Sequence, residues 1–336
     1  MCYRPPPVQG PNLIDTVLDG RYRLVKQLTR GGMGEIYAAE HVDTRRRFAV
    51  KILREPWSRD HVTRERFRLE ARATSRIVHP HIVQMIDFGV TDTGVCYLVM
   101  ELLYGEDLQA TIRREGRLPL RRSAKILVQI CKALAAAHSH GIVHRDLKPG
   151  NCFRIGFQGV EDFIKLVDFG IAKKLEDELD SGNGPLTAAG TVLGTIFYMP
   201  PEQATGGQID HRVDVYAAGA VFYQLVTGHL PFRGRSPDET FRLILIDDPK
   251  PARVIAPELD LPDAFDAIIR KALAKRPESR FESMDELAAA ISALGGQGDA
   301  RRASASMIAS QPPPEATPRG TWTWLAALTR PFRRRS

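Results

Sequence analysis

The chain has 336 residues, 43% of them hydrophobic and 26% charged, a soluble globular composition with length enough for two lobes or domains. Its four cysteines (Cys2, Cys96, Cys131, Cys152) stand at no metal-ligand or paired spacing, which argues against a disulfide framework and for reduced thiols in a cytosolic compartment. Of the net charge of +7, residues 296–336 carry +5, so the folded part is nearly neutral and no nucleic-acid-binding domain is expected.

Residues 1–20 read as a flexible leader, proline-rich and polar at the start, with no secretion signal expected. Short apolar runs then predict strands over 22–28, 35–41 and 47–53. Between the first two lies Thr29-Arg30-Gly31-Gly32-Met33-Gly34. Glycine there tolerates positive φ and lets backbone N–H groups come close to phosphate oxygens, although a plain hairpin turn has the same look. In the third strand, alternation puts Ala49 and Lys51 on one face. A helical run over 64–77 carries Glu70 among Phe67, Ala71, Thr74 and Ile77, and the continuous apolar run 97–100 predicts a buried strand.

Helical periodicity over 123–140 (Ile126, Leu127, Ile130, Leu134, Ala137) stops at Gly141 and delivers the chain to His144-Arg145-Asp146-Leu147-Lys148-Pro149-Gly150-Asn151. That stretch sets a carboxylate, an ammonium and a carboxamide within six residues. A carboxylate can orient a hydroxyl or take its proton, an ammonium neutralises a transferring phosphoryl, and an amide oxygen suits Mg²⁺. Asp168-Phe169-Gly170 follows Asn151 by 17 residues, after a hairpin predicted over 154–162. A loop over 171–199 is first acidic and then rich in Gly, Ser and Thr, and it leads into Met199-Pro200-Pro201-Glu202-Gln203. Helices are predicted from Asp214 through Leu225 and over 238–245, 262–274 and 283–294. Past Gly295 the composition turns to that of a disordered basic tail, 295–336.

In order and spacing, these stretches resemble the protein kinase family over about residues 20–293. Gly31-Gly32-Met33-Gly34-Glu35-Ile36-Tyr37, taken with Pro200-Pro201-Glu202-Gln203, is most similar to bacterial serine/threonine kinases of the Hanks type. The resemblance implies an α+β, bilobal fold: a β-rich N-lobe (about 21–100), a hinge (101–105) and a mainly helical C-lobe (106–294). It implies transfer of the γ-phosphoryl of ATP, with Mg²⁺, to Ser or Thr hydroxyls of protein substrates.

The same resemblance distributes the roles. Gly31, Gly32 and Gly34 would cradle the phosphates, with Thr29 standing where the family places glycine. Lys51, paired with Glu70, would reach the α- and β-phosphates. Ile36, Ala49 and Phe153 would sandwich adenine, Met100 would control access behind it, and the backbone from Glu101 to Leu103 would bond its edge. Asp146 would take the acceptor's proton, and Lys148, a serine/threonine-type residue, would contact the γ-phosphate. Asn151 and Asp168 would hold Mg²⁺, and Phe169 would pack under the Glu70 helix. Asp214 would hold the backbone at His144-Arg145, and Glu202 would pair with Arg280. Arg145 implies control by activation-loop phosphorylation, with Thr187 and Thr191 as candidate acceptors and Thr195 buttressing Asp146 and Lys148.

Other partners follow from composition. The apolar run 322–328 is far short of the ~20 residues a membrane span needs. With the arginines that follow, it suits either weak contact with anionic lipid or a basic partner-docking peptide, so a cytoplasmic chain could sit peripherally at the inner membrane face. Self-association would serve autophosphorylation in trans, and Glu106 could favour basic residues upstream of the acceptor. Two rival classes are a nucleotide-binding pseudokinase scaffold and an interaction protein acting through its tail.

Overall fold

Alternation along three strands builds the first sheet with two apolar faces. The computed structural model describes residues 13–31, 34–53, 68, 71, 74–169 and 196–294. Strands β1 (Val17–Leu18), β2 (Tyr22–Arg30), β3 (Gly34–His41), β4 (Arg47–Leu53), β5 (Met85–Val90) and β6 (Cys96–Glu101) form an antiparallel sheet ordered β1-β2-β3-β4-β6-β5. Phe48, Val50 and Ile52 point to one face, where they pack with Leu24, Tyr37 and Tyr97. Ala49 and Leu53 point to the other and pack with Leu98, Met100, Val83 and Ala71 of the preceding helical stretch. The expectation for the leader is corrected at its end: residues 17 and 18 are strand, Leu18 is buried, and Asp19 accepts a hydrogen bond from Tyr97 Oη.

A second sheet, β7 (Gly105–Asp107), β8 (Cys152–Phe157) and β9 (Val160–Leu166), contains the predicted hairpin. Its turn, Gln158 and Gly159, has φ of 47° and 81°, the positive pair that a two-residue hairpin loop requires. Gly105 meets β8 so closely that a Cβ there would overlap the Arg154 carbonyl oxygen.

The helical part comprises α1 (Leu108–Glu115), α2 (Leu120–Ser139), α3 (Pro201–Ala204), α4 (Arg212–Thr227), α5 (Pro237–Ile246), α6 (Ala252–Ile255), α7 (Asp263–Ala272) and α8 (284–294). Every residue of α4 from Val213 to Thr227 is buried, the signature of a helix at the centre of its lobe rather than on its surface. Helix α2 lays Ile126, Leu127, Ile130, Leu134 and Ala137 into the same core, and α8 adds Met284, Leu287, Ile291 and Leu294. Local chemistry sets several ends: Ser236 caps α5 by accepting from Glu239 N, and Gly228 ends α4 at φ 76°. No helix among the described residues is long and apolar enough to cross a membrane.

Candidate active site

The loop between α2 and β8 is held from below by one buried carboxylate. Asp214, at the start of α4, accepts from His144 N (2.8 Å) and Arg145 N (2.9 Å), and its Oδ2 also lies 2.7 Å from His138 Nε2. His144 is fully buried, and burial pushes its pKa down, so the ring is neutral. Its contacts fit the Nε2–H tautomer: Nε2 lies 3.2 Å from the Val167 carbonyl, and Nδ1 accepts from Asp146 N. Phe169 stacks on that ring with centroids 4.8 Å apart and joins the core of the helical lobe, which also includes Ile77 from the end of the earlier helical stretch.

With its backbone fixed in this way, Asp146 is the centre of a small polar array. Lys148 Nζ reaches its Oδ2 at 2.7 Å, and Asn151 Nδ2 donates to the same oxygen at 3.0 Å and to the Asp146 carbonyl at 2.8 Å. A 3-10 turn, Pro149–Asn151, sets that spacing. Because the amide nitrogen of Asn151 is spent on Asp146, the carbonyl end of the side chain is the one offered to a hard cation. Asn151 O accepts from Val167 N at 3.0 Å, which brings Asp168 beside this array. Asp168 takes a left-handed φ of 54°, and its Oδ1 lies 2.6 Å from Lys51 Nζ. Arg145 has φ 61°, and its carbonyl accepts from Gln203 of α3. Two non-glycine residues in that region beside one site are a local strain that the surrounding bonds maintain.

The expected adenine residues come together in part. Ile36, Ala49, Met100 and Leu103 share one apolar cluster, with Ala49 directly opposite Met100 in the β4–β6 register. Phe153 is half-buried on β8, opposite Asp107 and Lys165. Val167, which the sequence reading did not single out, packs against the apolar cluster from just past the end of β9. Its place, immediately before Asp168, was the available signal.

Glu101 contributes more than backbone. Its Oε1 accepts from Gln84 N (2.7 Å) and from Lys165 Nζ (2.5 Å), tying the end of β6 to β9. Glu106 is engaged within the fold: hydrogen bonds from Arg114, Thr111 and Arg154 surround its carboxylate and pull its pKa down to about 2, so it stays ionised and paired with those arginines. Glu202 and Arg280 pair as expected, bidentate at 2.6 and 2.7 Å. Gly31 and Gly34 close the glycine-rich turn through Gly31 N to Gly34 O at 2.9 Å. Gly32, Glu70, Thr187, Thr191, Thr195 and the tail lie outside the described residues.

The protein kinase domain model matches residues 22–290. The chain is 38% identical to the serine/threonine-protein kinase pkn3 of Myxococcus xanthus, over 82% of this chain and 50% of that protein. It is 39% identical to the serine/threonine-protein kinase PknE of Mycobacterium tuberculosis, over 89% and 51% respectively. The chain thus spans about half the length of the curated relatives it matches. Among solved structures, the M. tuberculosis PknI kinase domain superposes with a TM-score of 0.65 at 27% identity, covering 85% of this chain and 100% of that one. Rad53 1–466 in complex with AMP-PNP shares the fold, with a TM-score of 0.64 at 24% identity over 80% of this chain and 64% of that one. The chain belongs to the protein kinase domain family, and its curated relatives are bacterial serine/threonine members of it.

Proposed function

We propose that the chain is an ATP-dependent protein kinase acting on serine or threonine hydroxyls. The observation that carries this reading is Asp146 held within hydrogen-bond distance of both Lys148 and Asn151, beside Asp168 and Lys51. In the reaction, the acceptor oxygen bonds to the γ-phosphorus while the bond from that phosphorus to the β–γ bridging oxygen breaks. ADP leaves with that electron pair, and the acceptor's proton passes to Asp146. Lys148 neutralises charge on the group in transit, and Lys51 meets the remaining phosphates. The oxygens of Asn151 and Asp168 suit Mg²⁺, an ion that takes one or two protein ligands beside waters and phosphate oxygens. When bound, that ion would neutralise phosphate charge. Catalysis is therefore mostly positioning and electrostatics.

Arg145 supports a second level of control, in which phosphate on Thr187 or Thr191 orders the loop against a guanidinium, acquired through self-association in trans. The basic tail supports peripheral contact with anionic lipid, and vesicle co-sedimentation at low salt reads that part directly.

The test is incubation of the full chain with MgATP and a generic basic protein acceptor, beside Asp168→Ala, with phosphopeptide mapping. Phosphoserine or phosphothreonine in the wild-type reaction alone is the expected result. ATP binding without transfer in both proteins would reject the kinase reading in favour of a scaffold.

A further inference from the structure

The glycine-rich turn is braced from behind by a buried acid. Glu35 is 8% exposed, and its carboxylate is met by three donors. Tyr37 Oη donates to Oε2 at 2.6 Å, Gln27 Nε2 donates to the same oxygen at 3.1 Å, and Arg30 Nε lies 3.1 Å from Oε1. Glu35 and Tyr37 lie two residues apart on β3, and Tyr37 packs into the sheet face opposite to that of Ile36 and Ala49. The carboxylate therefore stands on the far side of the strand pair from the adenine cluster. Burial and the bond to Glu35 push the Tyr37 phenol up to about 12, so Tyr37 remains a donor.

The backbone complements that brace. Strands β2 and β3 stay paired as far as Thr29 opposite Ile36 and Arg30 opposite Glu35. Thr29, where the family places glycine, sits in this paired ladder. At the far end a Cβ on Gly34 would lie 2.8 Å from the Ile52 carbonyl, so that residue is seated directly on β4.

Resting on the nucleotide-binding reading above, we infer that Glu35 is a positioning residue for phosphate recognition: its bonds to Arg30, Gln27 and Tyr37 hold together the two strand ends that flank the glycine-rich stretch. Glycine freedom at Thr29 is given up, and stiffness comes from the brace. Coulomb's law alone makes a carboxylate behind a phosphate site unfavourable, so removing it should tighten ATP binding. The brace predicts the opposite, because an amide at position 35 turns N–H groups toward existing donors and at least one side of the array must open.

The experiment is calorimetric titration of the full chain with ATP, ADP and adenosine, for wild type, Glu35→Gln and Arg30→Ala. Glu35→Gln should weaken ATP and ADP about tenfold and leave adenosine within about twofold, since adenosine has no phosphates for the turn to meet. Arg30→Ala, at a partly exposed position that tolerates truncation, should weaken ATP about threefold in the same pattern. Equal weakening of ATP and adenosine would reduce Glu35 to a general structural role, and tighter ATP binding would show that its charge matters more than its bonds. Either result overturns the inference. Wild-type protein that binds none of the three compounds would instead overturn the nucleotide reading beneath it.

Discussion

Asp214→Asn tests how the catalytic loop is held. Its carboxylate is buried and serves three donors, with His144 N and His138 on Oδ2 and Arg145 N on Oδ1. Asparagine keeps the shape but has one acceptor oxygen. If that oxygen takes the Oδ2 position, the NH₂ group opposes Arg145 N–H; in the other flip it opposes His144 N–H. Either way a buried backbone donor loses its partner and the remaining bonds lose their charge assistance. Together these should cost about 3–5 kcal/mol. Against a total stability of about 5–15 kcal/mol for a native protein, the variant should still fold. The larger signature is kinetic: Asp146 follows Arg145 directly, and misplacing it by about 1 Å should lower kcat about a hundredfold. KM for ATP should change little, because the adenine cluster and Lys51 belong to other elements. Urea unfolding and steady-state phosphotransfer read the two effects. A variant within about 1 kcal/mol of wild type that transfers phosphate normally would refute the claim that this carboxylate holds the loop.

Arg280→Ala should destabilise by about 3–5 kcal/mol in urea, because Arg280 is fully buried and its loss strands the Glu202 carboxylate; Arg280→Lys should recover little, since an ammonium cannot span both oxygens. Glu106 makes stability pH-dependent with a definite sign. Its folded pKa of about 2 lies below the unfolded value, so its contribution is complete above the usual glutamate range and disappears as pH falls toward 2. The difference in Tm between wild type and Glu106→Gln should therefore be present at neutral pH and close on acidification; a difference that persists unchanged at the acid end would refute the assignment. Gly219→Ala places a methyl 2.7 Å from Ala272 Cβ where α4 crosses α7, and overpacking of about 1–3 kcal/mol should exceed the helix-propensity gain of about 1 kcal/mol. Recovery of stability on adding Ala272→Gly checks that cause.

The grouping of Asp146, Lys148 and Asn151 was legible because such chemistry fixes residue types at short spacing. Asp146, Lys148 and Asn151 share one loop, and their array follows from a single 3-10 turn. The core helices were legible from period, while their ends moved by a residue to a few: α2 starts at Leu120, before the apolar stripe begins, because Pro119 opens it without a side-chain cap. What escaped was long-range side-chain pairing that no family motif marks. Nothing local to Glu101 announces Lys165, 64 residues away, and nothing local to Glu106 announces Arg154, 48 residues away. Strand β1 escaped for another reason, since two residues are too few to show a period of two.

Those long-range pairings explain why β9 and the residues after it matter more than their composition suggests. Four consecutive residues each hold a different part of the site. Lys165 reaches Glu101 at the end of β6; Leu166 pairs with the 81–83 loop, donating to His81 O and accepting from Val83 N. Val167 donates to Asn151 O and packs beneath the adenine cluster, and Asp168 meets Lys51 from β4. Val167 and Asp168 follow β9 directly, so a slip of one residue in that strand would carry both away from their partners together. The register of β9 against β8, set by the two-residue turn at Gln158-Gly159 together with the one-residue shift between Ile155 and Phe157, therefore places Asp168, the end of β6 and the loop of Asp146 relative to one another. A short hairpin thus does much of the positioning on which the proposed phosphoryl transfer would depend.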